Sequence, residues 1–133
     1  MLLGNALPAF DPGHLAEVLQ QVDRALRPGG VLIVDHVDRI GELLEPGPVA
    51  TYDVSSGPPV VSVRGPYDPD RGTVERLHLH LGTGAHARLS EHLWAPWLLA
   101  AVCRAAGLVE HARETYGKHR HLSLLVKEET FLV

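Results

Sequence analysis

The chain has 133 residues, a hydrophobic fraction of 45% and a net charge of −4. This length allows one domain at most, with an ordinary core content. Its scattered Arg residues form no basic patch, which excludes nucleic acid as a partner. The sequence also lacks a signal peptide and any apolar run near the ~20 residues of a membrane span. Because no membrane span is predicted, we expect no membrane partner. The single cysteine, Cys103, cannot form an internal disulfide, which favours a reducing compartment, so we expect a cytoplasmic protein.

Residues 1–36 predict a βαβ unit. Asp11 suits the N-cap of a helix and Pro12 suits its first position. Pro28-Gly29-Gly30 ends that helix, and the apolar run Val31 to Val34 predicts a strand buried on both faces of a parallel sheet. The apolar stripe of the helix recurs at three- and four-residue spacing and comprises Leu15, Val18, Leu19, Val22, Ala25 and Leu26.

Residues 37–90 predict a turn-rich connection followed by a hairpin. The segment 37–59 is rich in turn residues, with one helical turn near 40–44. Strands at 60–64 and 73–81 flank a turn at 67–72, which indicates an antiparallel hairpin. Alternation places Leu77, Leu79 and Leu81 on one face of the second strand and Arg76, His78 and His80 on the other.

Residues 91–133 predict a helix and a closing hairpin. The helix opens around Trp94, with Pro96 near its first position, and Gly107 ends it. Strands at 109–116 and 121–127 follow. The side chains expected on the buried face of the helix are Leu98, Val102, Ala105 and Ala106.

Several short motifs, taken in this order, resemble class I S-adenosylmethionine-dependent methyltransferases. The most similar subgroup contains glycine N-methyltransferase and the glycine/sarcosine methyltransferases. The resemblance implies an α/β fold: the C-terminal half of a Rossmann-like methyltransferase sheet, carrying an inserted antiparallel hairpin and a closing β-hairpin in one partial domain, 1–133. The motifs are Leu3-Gly4-Asn5, Leu26 to Gly30, Val31 to Val34, Asp35-His36 and Ala106-Gly107-Leu108.

The resemblance implies S-adenosylmethionine as the cofactor, yet the main binding loop is absent from the sequence. In the family a glycine-rich loop follows the first strand, because only glycine lets backbone amides approach the ligand closely. Gly82-Thr83-Gly84 follows a strand but precedes a His-rich stretch, so we interpret it as a turn. We therefore expect the C-terminal portion of a small-molecule methyltransferase, inactive without an N-terminal half. Separately, ten Arg against two Lys, with many Ala, Gly and Pro, indicate a GC-rich bacterial gene.

A second hypothesis is a non-enzyme: a half-fold that acts as a partner subunit or dimerises. An unpaired sheet edge invites pairing, so either hypothesis predicts an N-terminal partner chain or a homodimer. A third hypothesis, a metal-dependent enzyme, uses the spacing of His78 and His80, with His86 and His92 nearby. Because solvent-facing alternation explains that spacing, we assign no metal.

By the resemblance, Leu3, Gly4 and Asn5 contact the cofactor, and Asn5 also contacts the methyl acceptor. The alternative for Asn5 is an ordinary turn residue. Asp35 and His36 would orient the acceptor, or simply end a strand. Val37 stands where the glycine-binding subgroup has an Arg, which indicates a different acceptor.

Three further side chains have two interpretations each. Arg76 either binds an anionic substrate or is an ordinary solvent-facing residue of the strand. Trp94, like Trp97, stacks on a substrate or packs in the core. Cys103 lies on a predicted helix, where a buried structural thiol is favoured over a reactive one.

Overall fold

A computed structural model describes residues 2–3, 6–45, 50–53 and 59–128. Within these ranges no helix is long and apolar enough to cross a membrane. A short 3-10 helix spans Leu7–Ala9. The strands are β1 (Leu2–Leu3), β2 (Val31–Val37), β3 (Ala50–Asp53), β4 (Val60–Asp68), β5 (Thr73–His80), β6 (His86–His92), β7 (Leu108–Thr115) and β8 (Arg120–Lys127), and the helices are α1 (Pro12–Ala25), α2 (Arg39–Leu44) and α3 (Pro96–Ala105).

The chain divides into two compact units. The first contains Met1–Leu44 and Trp94–Val133, and the second contains Glu45–Leu93. The sequence, with the resemblance, predicts one partial domain in which 37–90 is an insertion. In the structure α2 belongs with the first unit, so the second unit begins after this helix.

The first unit contains a mixed sheet in the order β1-β2-β8-β7. β1 runs parallel to β2, whereas β8 runs antiparallel to both of its neighbours. The strand predicted over Val31 to Val34 is confirmed, but its burial alternates between the two faces of the sheet. Leu32 and Val34 are fully buried, while Val31 on the opposite face is 38% exposed. The expectation of equal burial on both faces was therefore wrong.

The helix α1 supplies one side of the core. Asp11 is its N-cap, and its carboxylate accepts a hydrogen bond of 2.8 Å from the backbone N–H of His14. Gly29, with φ of 78°, turns the chain from this helix into β2, a conformation that glycine adopts without strain. The buried stripe is narrower than predicted and consists of Leu15, Leu19 and Val22, with Val18 and Leu26 packed beside it.

The carbonyl groups at the end of α1 have a partner from a distant strand. The ammonium group of Lys127 in β8 donates to the carbonyl of Asp23 at 2.5 Å and to that of Leu26 at 2.9 Å. A cation at this position satisfies unpaired carbonyls and suits the helix dipole. The contact joins α1 directly to the sheet.

Helix α3 starts at Pro96 as predicted, but its buried face is rotated from the expected one. Leu99, Cys103 and Ala106 are buried, Leu98 and Val102 are partly buried, and Ala105 is exposed. Every residue from 97 to 103 is apolar, so the spacing of apolar residues is compatible with two neighbouring faces of the helix. Packing with α1 and the sheet decides between them.

The second unit is an antiparallel sheet in the order β3-β4-β5-β6. The predicted hairpin is confirmed as β4 and β5, and Gly82-Thr83-Gly84 lies in the turn that follows. The sequence analysis missed β3 and β6. The first is very short and the second is polar, HARLSEH, so neither stands out from a loop until its neighbour pairs with it.

The pairing of β4 with β5 is irregular at one point. The register with β5 shifts between Arg64 and Tyr67, and Gly65 lies within the shift. A Cβ at Gly65 would come within 3.1 Å of the Cβ of Glu75, so a side chain at this position would require the neighbouring strand to move. The glycine thus permits the close approach of the two backbones.

Replacing Asp11 with Ala should destabilise the first unit by about 1 kcal/mol, because an N-terminal N–H of α1 loses its acceptor. Urea unfolding followed by circular dichroism measures the change. Asp11→Asn keeps a side-chain acceptor and should lose much less. Equal losses in the two variants would show that the cap contributes nothing.

The thiol of Cys103 should resist alkylation in the folded chain. It is completely buried, and this burial raises its pKa to about 12, so almost no thiolate forms at neutral pH. Iodoacetamide at pH 8, followed by mass spectrometry, should modify the thiol only after urea is added. Rapid modification without denaturant would contradict the buried position.

Candidate functional site

Two parallel strands end at one edge of the first sheet. Leu3, the last residue of β1, pairs with Val34, and β2 continues beyond this pair through Asp35 and His36. Ligands of α/β sheets bind at the carboxyl ends of parallel strands, so this edge is the candidate site. Of the residues predicted there, Gly4, Asn5 and the side chain of Leu3 lie outside the described residues.

His36 lies at this edge on the face of the sheet that carries the core. It is 1% exposed, and its Nε2 is hydrogen-bonded to the hydroxyl of Ser123 at 2.9 Å. His121, its partner in the β2–β8 register, stacks on the imidazole with ring centroids 5.5 Å apart. The Nδ1 atom of His36 has no hydrogen-bond partner among the described residues. The apolar face of the sheet therefore ends in a polar cluster at the site edge.

Both imidazoles of this cluster are held in the neutral form. The pKa of His36 is lowered to about 4, mainly by burial, and the nearby His121 and Arg113 act in the same direction. Burial also lowers the pKa of His121, followed by the charge of Arg113. At neutral pH each of the two imidazoles can donate one hydrogen bond and accept another, but neither adds positive charge to the edge.

Asp35 lies on the other face of β2 and is partly exposed. Its carboxylate accepts a hydrogen bond from the hydroxyl of Tyr116, which follows β7. This hydrogen bond is the main reason that the pKa of Tyr116 is raised, whereas the nearby Arg120 acts to lower it. Asp35, Tyr116 and Arg120 thus form a second polar cluster at the edge, back to back with the histidines.

The turn between β7 and β8 is tied to the end of β2. The backbone N–H of Asp38 donates to the carbonyl of His119 at 2.8 Å. The carboxylate of Asp38 accepts from the N–H of Gly41 at 2.8 Å, which satisfies the start of α2. These bonds fix the strand end that carries Asp35 and His36 against the turn that follows Tyr116.

Trp94 lies beside this edge, because its backbone carbonyl accepts a hydrogen bond of 2.9 Å from the N–H of Arg39, at the start of α2. Its ring is 1% exposed, belongs to the core cluster and donates the indole N–H to the carbonyl of Phe10 at 3.1 Å. This burial favours the core interpretation of Trp94 over stacking on a substrate. Trp97, by contrast, is 66% exposed on α3.

Arg76, His78 and His80 of the second unit have partners of their own. Arg76 pairs with Glu91 at 3.3 Å, and both side chains are about one-fifth exposed, at 21% and 19%. His78 hydrogen-bonds the hydroxyl of Ser62 at 2.7 Å, and His80 that of Thr83 at 3.0 Å. Over the described ranges no group of three or more metal-ligating side chains is assembled.

Sequence reasoning missed Ser123, His121 and Tyr116. All three come from the closing hairpin, which was assigned only as secondary structure. The available signal was the alternation His121-Leu122-Ser123-Leu124-Leu125, which places two polar groups on the face of a buried strand. Only the pairing with β2 shows that these groups meet His36.

No protein-family model matches the chain, and no curated protein matches it. Solved structures of other proteins do match the chain. The CcbJ methyltransferase from Streptomyces caelestis is 17% identical, with a TM-score of 0.69 over 96% of this chain and 55% of its own. The sugar N-methyltransferase KedS8 from Streptoalloteichus is 22% identical, with a TM-score of 0.65 over 96% of this chain and 54% of its own.

An S-adenosylmethionine-dependent methyltransferase from Clostridium acetobutylicum is 12% identical, with a TM-score of 0.65 over 96% of this chain and 56% of its own. The likeness shows a mixed α/β fold shared with S-adenosylmethionine-dependent methyltransferases. The chain spans about half the length of these structures.

The described residues alone do not fit S-adenosylmethionine. A cradle for this cofactor needs glycine between a strand end and a helix start. Over the described ranges the glycines with positive φ are elsewhere: Gly29 and Gly107 follow helices, while Gly72, Gly84 and Gly117 lie between antiparallel strands. The connection from β2 to α2 contains Asp38 and no glycine. The cofactor loop is therefore not among these residues.

The buried His36 should make stability depend on pH. The unfolded chain protonates this imidazole near 6.5 and the folded chain near 4, so the unfolded state binds more protons between these values. The stabilising effect is complete above about pH 6.5 and falls by about 2–3 kcal/mol as the pH approaches 4. Urea unfolding at a series of pH values measures it.

His36→Gln, which keeps an amide near the position of Nε2, should flatten this dependence between pH 6.5 and 4. His111→Gln, at an exposed strand position, is the matched control and should retain the dependence of the native sequence. Identical pH profiles for all three proteins would show that His36 is not held neutral by the fold.

Proposed function

We propose that the chain forms the acceptor-binding half of an S-adenosylmethionine-dependent methyltransferase that acts on a small molecule. The observation that carries the proposal is the pair of polar clusters around Asp35 and His36 at the carboxyl edge of β2, in a chain that shares its fold with methyltransferases. In this proposal the first sheet is the C-terminal half of a Rossmann-like sheet.

The order β1-β2-β8-β7 supports this assignment. Parallel strands meet a final antiparallel hairpin, and the edge where β1 and β2 end is the one that carries the unusual polar side chains. A buried imidazole with an unpartnered nitrogen is costly for stability, and such groups accumulate at functional sites. A purely structural strand end would favour an apolar residue at position 36.

The proposed role of the two clusters is to orient the acceptor. Methyl transfer needs few catalytic side chains, because the cofactor carries the reactivity and the protein positions the acceptor. Asp35 offers a carboxylate, and His36 with Ser123 offers neutral hydrogen-bonding groups. Asn5, Leu3 and Gly4 remain proposed contacts of the cofactor, and Asn5 also of the acceptor. The finer resemblance, to the glycine N-methyltransferase subgroup, rests on Asp35-His36 and is opposed by Val37.

The cofactor loop must come from residues other than those described. We propose that a complementary N-terminal half, on a partner chain, carries this loop and pairs beside β1. The described residues do not supply the glycines of the cofactor loop, and we assign no chemical step of the methyl transfer to them. A stable homodimer that binds no cofactor is the alternative function: a non-catalytic interaction module built on the same half-sheet.

Calorimetric titration of the 133-residue chain with S-adenosylmethionine should give no saturable binding. A fusion of the chain to the part of KedS8 that it does not cover should bind the cofactor with one-to-one stoichiometry. The fusion should also form S-adenosylhomocysteine when an acceptor is added. In the fusion His36→Gln should lower the rate about tenfold or more without changing cofactor affinity, since a misplaced acceptor reacts slowly.

Glu17→Gln, on the exposed side of α1, is the matched control and should leave the rate unchanged. A folded fusion that binds the cofactor but methylates no amine or alcohol would contradict the proposed enzyme. A homodimer detected by light scattering of the unfused chain would then favour the interaction module. Saturable binding by the unfused chain would contradict the assignment of the cofactor loop to another half.

A further inference from the structure

We propose that the outer face of the first sheet is the surface on which an amphipathic helix of the complementary half packs. The outer face is the side of β2 and β8 that points away from the core, and its apolar residues are Val31, Ile33, Leu122, Leu124 and Val126. The inference rests on the proposed function for the existence of the complementary half. It adds the place on this chain where that half binds and the kind of element that binds there.

The apolar side chains of the outer face are neighbours and are open to solvent. The register places Val31 opposite Val126 and Ile33 opposite Leu124, and Leu122 is the next residue of β8 on the same face. Val31 is 38% exposed and Leu122 is 36% exposed, while the other three are partly buried. The apolar side chains on the opposite face of the same two strands are completely buried. A contiguous apolar surface of this kind marks an interaction site.

The two longer helices of the first unit both pack on the other side of the sheet. α1 and α3 contribute to one core cluster with Leu32, Val34 and Leu125, and none of the five outer-face residues belongs to this cluster or packs against it. Parallel strands such as β1 and β2 are normally covered by helices on both faces, because their crossover connections carry helices. One of these two helical layers is therefore formed by α1 and α3, and the outer face is the place for the second.

The handedness of crossover connections indicates a helix as the missing cover. The right-handed connection from β1 to β2 moves along the sheet toward β8 and places α1 on the core face. Strands of the complementary half that follow one another away from β1 reverse this direction, so the same handedness places their helices on the outer face. The chain spans about half the length of the solved structures that share its fold, so this fold contains enough further residues for such a layer.

Polar side chains border the apolar part of the outer face at the carboxyl end of β2. The register places Asp35 and Arg120 on this face, and Tyr116 donates to the carboxylate of Asp35. An apolar centre with a polar border is typical of protein interfaces. A second copy of the chain is the competing occupant. It would cover the face with another sheet but would supply no parallel strand beside β1, so we favour the helix of the complementary half.

The test measures how fast a thiol on the outer face reacts with N-ethylmaleimide at pH 7. The variant is Leu122→Cys, and the native Cys103 does not interfere because it is completely buried. We expect rapid labelling in the 133-residue chain and labelling slower by about tenfold or more in the fusion to the part of KedS8 that the chain does not cover, because a packed helix blocks the reagent. Trp97→Cys, at an exposed position of α3, is the matched control and should react equally fast in both proteins.

Equal labelling of Leu122→Cys in the chain and in a fusion that circular dichroism shows to be folded would overturn the inference. Labelling of the unfused chain that is slow at high protein concentration and fast after dilution would also overturn it, because a second copy would then occupy the face. The labelling needs neither cofactor nor acceptor. The face can therefore be covered in a fusion that methylates nothing, or remain open in one that is active.

A second measurement on the unfused chain decides the question even if the fusion does not fold. A synthetic peptide with Leu at positions i, i+3, i+4 and i+7 and Lys and Glu elsewhere should give saturable NMR shifts of the backbone amides of β2 and β8. A peptide of the same composition in scrambled order should not. Leu122→Glu, at a position exposed enough to accept a charge, should weaken binding of the first peptide about tenfold or more. Equal shifts with both peptides, no saturable shift, or unchanged affinity in Leu122→Glu would each overturn the inference.

Discussion

The antiparallel pairing of β2 with β8 is the interaction on which the rest of the first unit depends. It joins residues far apart in the sequence in a continuous register from Val31↔Val126 to Val37↔Arg120. One face of this ladder places Leu32 opposite Leu125 in the core, and the same face ends in His36 opposite His121. Because side chains alternate along a strand, a shift of one residue would bury Asp35 and expose His36. The core and the candidate site are therefore set by one register.

This face of the ladder is stabilised by the burial of apolar side chains, but at its end it buries polar side chains, which costs free energy. A buried imidazole loses its hydration, and the hydrogen bond between His36 and Ser123 replaces only part of that loss. Burial lowers the pKa of His36, so the imidazole stays uncharged, and the ring of His121 stacks on it. On the opposite face Asp35 keeps contact with solvent and with Tyr116. A single strand end thus presents a buried neutral imidazole on one face of the sheet and a partly exposed carboxylate on the other.

Local sequence signals predicted the elements of the first unit closely. A cap at Asp11, a stop at Pro28 and continuous apolar runs have local physical causes, and they appear where expected. The second unit was predicted less completely. β6 has a polar sequence and gains its hydrogen bonds only from β5. The buried face of α3 was ambiguous for a related reason: an apolar helix carries no polar side to orient it.

The sequence by itself determined where helices and strands begin and end in the first unit, and it indicated Asp35 and His36 as the polar end of a buried strand. These features depend on neighbours within a few residues. Only the tertiary structure decided that Ser123 and His121 meet His36, that Tyr116 meets Asp35, and that Trp94 is enclosed in the core. Such contacts join residues that are 81 to 87 positions apart in the two hydrogen-bonded pairs, so they follow from strand register and packing, which no local pattern contains.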